Sequence, residues 1–170
     1  NKTKKKIREA LGGVLFIDEA YSLLSKAPGD FGKEAIDTLV DEMTKHNENL
    51  VVILAGYPNE MKQLLESNPG LQSRFKKFFH FHDYKVDELI EIMVSYSTSY
   101  HYMIDDEAIT YLQEALTGLA INGNGRFATN IIDEAIQVQA LRISKNDSGN
   151  LSLLNKEDMA TALQKVGKGE

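Results

Sequence analysis

A chain of 170 residues, 42% hydrophobic and 26% charged, can build one domain or two small lobes under an ordinary water-facing surface. Its net charge of −6 offers no basic field to recruit nucleic acid, and the absence of cysteine excludes disulfides, thiolate metal sites and a cysteine nucleophile. No apolar run approaches the ~20 residues that cross a bilayer, no secretory leader is visible, and a reducing compartment, the cytoplasm, is the expected location.

The first element is a helix over residues 3–11, with Ile7, Ala10 and Leu11 at apolar spacing and Gly12-Gly13 closing it. The lysines among residues 2–6 read as a solvated face rather than a nucleic-acid patch. Val14, Leu15, Phe16 and Ile17 then form a short apolar run that suits a buried strand of a parallel sheet. It runs directly into Asp18 and Glu19. Open α/β sheets place ligands at the carboxyl ends of their strands, and two adjacent acids there suit a metal with its phosphates and a base that orients water. The same pair also fits the acidic start of a plain helix, since carboxylates favour a helix N-terminus.

Ala20 to Leu24 reads as one or two helical turns, and residues 25–30 as a loop around Pro28-Gly29, with Asp30 able to cap the next helix. In that helix Phe31, Ala35, Ile36, Leu39, Val40 and Met43 fall on one stripe. Residues 50–56 are a second buried strand, free of charge and rich in β-branched residues. Strand, helix, strand at this spacing is a βαβ unit with a parallel sheet. A short helix over 59–66, a turn at Asn68-Pro69-Gly70 and a third strand over Lys77 to Phe81 complete the expected lobe. Helical periods rule from Val86 onward: a helix over 87–100, one capped by Asp105, a loop from Gly118 to Gly125, a helix over 126–144, a polar linker to Ser152, and a last helix capped by Asn155 and Asp158. The fold class is therefore α/β, a parallel-sheet lobe over residues 1–85 followed by a small all-helical domain of about four helices over 86–170.

Four more positions carry possible chemistry. Tyr57 to Asn59 closes the second strand and would share an edge with Asp18, though Pro58 turn chemistry explains it as well. Arg74 follows a Pro-Gly turn, where a rigidly presented guanidinium could stabilise charge on a neighbour's phosphate; a solvated loop arginine is the plainer reading. Arg126 opens a helix, where it opposes the dipole and so fits an anionic partner, or else a surface ion pair. His46, His80, His82 and His101 form no metal pattern, and no serine sits in a nucleophile elbow.

Five blocks together resemble the AAA+ ATPases, in the branch that holds stage V sporulation protein K, the red-type rubisco activase and the type VII secretion ATPases. They are Gly13 to Tyr21, Asp30 to Leu39, Val52 to Tyr57, Asn68 to Phe75 and Asn124 to Phe127. The resemblance implies an AAA+ lobe from Walker B to the arginine finger, followed by a helical lid that carries sensor 2. It implies ATP and Mg²⁺ as cofactors. Asp18 would hold Mg²⁺ through water and Glu19 would polarise the attacking water. Arg74 would be the arginine finger acting on an adjacent subunit, and Arg126 would be sensor 2. The sensor 1 position falls at Tyr57, where many relatives outside this branch have Asn; Asn59 is an outside candidate. The loop over 25–30 matches the second pore loop.

No Gly-x-x-x-x-Gly-Lys-Ser/Thr phosphate loop occurs in the chain. The expectation is therefore a C-terminal part of a longer AAA+ protein, inactive by itself. The parent would couple ATP hydrolysis to remodelling a protein substrate in a homo-oligomeric ring, with no membrane and no nucleic acid as partner. The alternative is a non-catalytic interaction module derived from an AAA+ domain.

Overall fold

The computed structural model describes residues 2–24, 31–146 and 150–167. The chain divides into two units, Asn1–His80 and Phe81–Glu170.

In the first unit, α1 (Lys2–Glu9) leads through a turn into β1 (Gly13–Ile17). Gly12 makes the turn at φ 83°, a left-handed conformation that glycine adopts without a Cβ penalty, and its N–H donates to the Asn49 carbonyl at 2.7 Å. A 3-10 turn, Ala20–Leu24, comes next, then α2 (Gly32–Lys45), β2 (Leu50–Leu54), α3 (Pro58–Glu66) and α4 (Pro69–Arg74). β1 and β2 pair in parallel, Gly13 opposite Leu50 through Ile17 opposite Leu54. Because side chains alternate along a strand, this register sorts the sheet into two faces. Leu15, Ile17, Leu50, Val52 and Leu54 turn inward against a core of Ile7, Ala20, Ile36, Leu39, Leu64 and Leu71. Burying each large member of that core stabilises the unit by about 1.5–3 kcal/mol. The opposite face carries Val14, Phe16, Val51 and Ile53, which stay 56%, 60%, 55% and 45% exposed.

Two expectations for this unit fail. Asn68-Pro69-Gly70 is not a free turn but the start of α4: Asn68 Oδ1 accepts from the Gly70 and Leu71 N–H groups at 2.8 and 3.3 Å, and Pro69 opens the helix where no N–H is needed. Asn68 also donates through Nδ2 to Asp37 at 2.9 Å, which ties α4 to α2. Nor is there a third strand. Residues 75–85 form neither helix nor strand, and Phe78 and Phe79 are exposed. A strand exists only as part of a ladder, and among the described residues of this unit the ladder consists of β1 and β2. The loop over 25–30 and the expected Asp30 cap lie outside the described residues; α2 begins after Phe31, whose side chain makes no cap hydrogen bond.

The second unit comprises α5 (Val86–Ser99), β3 (Met103–Ile104), α6 (Asp106–Leu116), α7 (Gly125–Asn146), β4 (Leu153–Leu154) and α8 (Lys156–Val166). The four helices enclose one core that includes Leu89, Met93, Leu112, Leu116, Ile131, Ile132, Leu154 and Met159. The expectation of a purely helical unit needs one amendment, because β3 and β4 pair in parallel, Met103 opposite Leu153 and Ile104 opposite Leu154. Two residues per strand are too few to show a period of two in sequence. The caps are as expected: Asp105 accepts from Ala108 N–H at 2.6 Å, and Asn155 and Asp158 form a reciprocal capping box with both bonds at 3.0 Å. Asp158 is fully buried and also receives a two-pronged bond from Arg142, at 2.9 and 2.8 Å. Buried Gln139 donates to the Leu151 carbonyl at 2.9 Å and so secures the approach to β4. Among the described residues, no buried side-chain polar atom lacks a hydrogen-bond partner.

Candidate functional site

Asp18 and Glu19 come immediately after β1, at the carboxyl end of the parallel pair, and both are exposed. The backbone turns sharply there. Glu19 has φ 47°, a left-handed conformation that strains a residue with a side chain by roughly 1–3 kcal/mol and that concentrates at functional sites. The turn lets the Glu19 N–H donate to Asp18 Oδ1 at 2.9 Å. One Asp18 oxygen is thereby engaged, and the other accepts no hydrogen bond among the described residues. The next N–H, of Ala20, donates to the Ala55 carbonyl at 3.0 Å, and the Ala55 N–H donates to the Ile17 carbonyl at 2.9 Å. The acid pair is thus held against the end of β2. Neither carboxylate forms an ion pair among the described residues.

Tyr57 lies on the same edge. Its ring stands 6.1 Å from that of Tyr21, centroid to centroid, at 32°. Gly56 makes this approach possible: a Cβ there would fall 2.7 Å from both the Tyr21 ring and Met61 Sδ, closer than real Cβ contacts come. Burial raises the Tyr21 hydroxyl above its ordinary pKa, and the neighbouring charges of Glu19 and Asp18, with Tyr57 and Glu60, push the same way. The phenol therefore stays a neutral hydrogen-bond donor beside the two acids. Asn59 sits exposed in the first turn of α3.

The other two candidate residues lie elsewhere. Arg74 ends α4 and is bound there: Nε donates to Thr44 Oγ1 at 3.2 Å, Nη2 donates to the same hydroxyl, and Nη1 donates to the Gly70 carbonyl at 3.0 Å and to Ser73 Oγ at 3.4 Å. It is a helix-end arginine seated on α2, not the loop arginine that the sequence suggests. Arg126 belongs to the second unit, exposed in the first turn of α7, a turn that contains no acidic residue. Its guanidinium has no hydrogen-bond or ion-pair partner among the described residues. A guanidinium at the positive end of a 22-residue helix opposes the helix dipole, and an anion bound there would relieve it.

Four residues were given no role by the sequence reading. Tyr21 and Gly56 pack the strand ends together, and the Ala-Gly-Tyr run directly after the second strand was the available signal. Thr44, the partner of Arg74, carried none, since it reads as a polar residue near the end of a helix. Asn124, in the loop before α7, is the fourth; a polar residue between two glycines reads as turn chemistry.

The chemistry of the acids limits what they can hold. Two carboxylates, one with an oxygen already engaged, are too few for an all-protein metal cage, and no group of three or more His, Asp or Glu among the described residues could form one. They fit Mg²⁺, which keeps most of its waters and takes one or two carboxylates together with phosphate oxygens.

Known proteins match along the whole chain. Residues 1–83 match the model of the AAA family, "ATPase family associated with various cellular activities", and residues 85–169 match the AAA lid domain. Stage V sporulation protein K of Bacillus subtilis is 40% identical over 94% of this chain and 52% of its own length. Protein CbbX of Cereibacter sphaeroides is 40% identical over 94% of this chain and 53% of its own length. The ESX-1 secretion system protein EccA1 of Mycolicibacterium smegmatis is 40% identical over 97% of this chain and 32% of its own length. The chain thus spans about half the length of the first two relatives and a third of the last. Among solved structures, the FIGL-1 AAA domain with ADP aligns at a TM-score of 0.68 and 20% identity, covering 98% of this chain and 57% of that one. Hsp104 with ATPγS and FITC casein aligns at 0.67 and 20% identity, covering 98% and 29%. With its α/β lobe, helical lid and matching relatives, the chain belongs to the AAA ATPase family, in the company of stage V sporulation protein K and CbbX.

Proposed function

We propose that this chain supplies the hydrolytic acids, the arginine finger and the lid of an AAA+ ATPase that couples ATP hydrolysis to remodelling a protein partner in a homo-oligomeric ring. The observation that carries the proposal is the Asp18-Glu19 pair: exposed, without an ion-pair partner among the described residues, and held at the carboxyl end of a parallel strand by a strained left-handed turn. A left-handed glutamate costs roughly 1–3 kcal/mol, and such strain concentrates where a site needs a side chain aimed in a particular direction.

Bound Mg²⁺ and ATP would supply the divalent charge and the scissile phosphoanhydride. Asp18, with Oδ1 engaged by the Glu19 N–H, would hold the ion through Oδ2 by way of water. Glu19 would accept a hydrogen bond from the attacking water, orient it and take its proton while the cleaved phosphoanhydride leaves as ADP. Tyr57, or Asn59 two residues further on, would position that water. Arg126 would meet the terminal phosphate and Arg74 the phosphate of a neighbouring subunit, which requires Arg74 to leave Thr44. The backbone N–H groups and lysine of a phosphate loop grip the rest of such a nucleotide. This sequence does not contain that loop, so the proposal places it in the remainder of a longer protein.

The engagement of Arg74 by Thr44 favours a second reading, in which the module binds partners and hydrolyses nothing. ATP turnover by the isolated chain and by the full-length protein separates the two. The expected result is turnover by the full-length protein and none by the 170 residues alone. Turnover by the isolated chain would sink the half-site reading, and an inert full-length protein with a phosphate loop would favour the interaction module.

A further inference from the structure

The loop before α7 takes an unusual path. Gly123 at φ 89° and Asn124 at φ 52° are left-handed in succession. An N-cap side chain ordinarily bonds its own helix, but here the Gly123 carbonyl already serves that end, accepting from Arg126 N–H at 3.0 Å and Phe127 N–H at 3.4 Å. The Asn124 amide is free to face away, and it reaches back about forty residues. Its Oδ1 accepts the Tyr84 N–H at 2.9 Å, and its Nδ2 donates to Asp83 Oδ1 at 2.9 Å. Gly125 adds to the contact, since a Cβ there would meet the Tyr84 ring at 3.5 Å. The next linker residue is fastened too: Lys85 N–H donates to Glu88 Oε2 at 2.8 Å.

All of these groups belong to the second unit, so residues 83–85 are fixed to the first turns of α5 and α7 at once. Arg126 lies two residues beyond the clasp. We propose that Asn124 is the positioning residue for Arg126: it locks the linker that enters the second unit to the turn carrying that guanidinium, so that a phosphate drawing on Arg126 moves linker and lid as one piece. Bending is then confined to the chain before Asp83. Both bonds of the amide are needed, because Oδ1 fixes the linker backbone and Nδ2 selects the Asp83 side chain. The proposal rests on the reading of Arg126 as a terminal-phosphate contact.

The test is the preference of the full-length protein for a non-hydrolysable ATP analogue over ADP, measured by equilibrium binding. Asn124→Gly keeps the left-handed backbone and removes only the clasp. It is expected to lower that preference up to about thirtyfold, the scale of two lost hydrogen bonds at about fivefold each. Asn124→Asp keeps an acceptor for Tyr84 but sets a second carboxylate against Asp83, and is expected to lose at least as much. Pairing Asn124→Asp with Asp83→Asn reverses donor and acceptor, rebuilds both bonds and is expected to restore the preference; a general loss of fold would not be rescued by this exchange. If Arg126→Ala removes the preference while Asn124→Gly leaves it intact, or the paired exchange gives no recovery, the clasp is wrong and the role of Arg126 stands. If Arg126→Ala changes nothing, the reading of Arg126 fails, and this proposal fails with it.

Discussion

The two units satisfy their buried groups and surfaces differently. The second closes a core among four helices, and its buried charge, Asp158, is fully engaged by Arg142 and the Asn155 cap. The first buries one face of a two-stranded parallel sheet and leaves the other, Val14, Phe16, Val51 and Ile53, largely exposed. Parallel sheets ordinarily have both faces covered. The acid pair sits at the end of that half-covered sheet without a counter-charge among the described residues. The second unit thus satisfies its buried charge within itself, whereas the first leaves an apolar face and two carboxylates open to solvent.

That contrast can be broken by substitution. The largest effect expected is from Arg142→Ala, which leaves the Asp158 carboxylate buried and without its cation; about 3–5 kcal/mol of the second unit's stability should go, read by urea unfolding. Leu112→Ala, in the same core, should cost about 2–5 kcal/mol through lost burial and a cavity. In the first unit, Asn68→Ala removes the α4 cap and the bond to Asp37, for a loss of about 0.5–2 kcal/mol. By contrast, Phe16→Ser on the bare face should change the isolated chain by no more than about 0.5 kcal/mol. A loss comparable to that of Leu112→Ala would mean that the face is covered in solution.

The smallest effect is a pH dependence within the first unit. Burial alone would push the Glu42 carboxyl up, yet Lys4 at 3.5 Å and Lys45 at 3.4 Å outweigh it and hold the group below its ordinary value of 4.5. Unfolding returns Glu42 to that value, so its contribution is present above pH 4.5 and is lost as the pH falls through the lower folded value. Thermal unfolding across the acid range should show this dependence, and Glu42→Gln should flatten it.

Much of this was legible in the chain because local rules governed it. The β1–α2–β2 order, the loop before Arg126 and the Asp105 and Asn155 caps come from periodicity and capping chemistry that act within a few residues. The features that were not legible depended on partners distant in sequence. The segment Lys77 to Phe81 has the alternation of a strand, but alternation supplies no ladder. β3 and β4 owe their pairing to helices that bring two dipeptides together. Arg74 seemed free because Thr44, thirty residues earlier, gives no sign of receiving it. The candidate acids were readable from position alone; the strained turn that aims them was not, since nothing in the string Asp-Glu-Ala announces a left-handed glutamate.

On the proposed function, Glu19 activates water in a nucleotide site of which this chain is one part. The most direct measurement is ATP binding and turnover by the full-length protein carrying Glu19→Gln, which keeps the shape of the side chain and removes its basicity. The expected result is nucleotide bound at wild-type levels and hydrolysis reduced by roughly two to four orders of magnitude, the range that a positioned general base supplies. Turnover at the wild-type rate would contradict it.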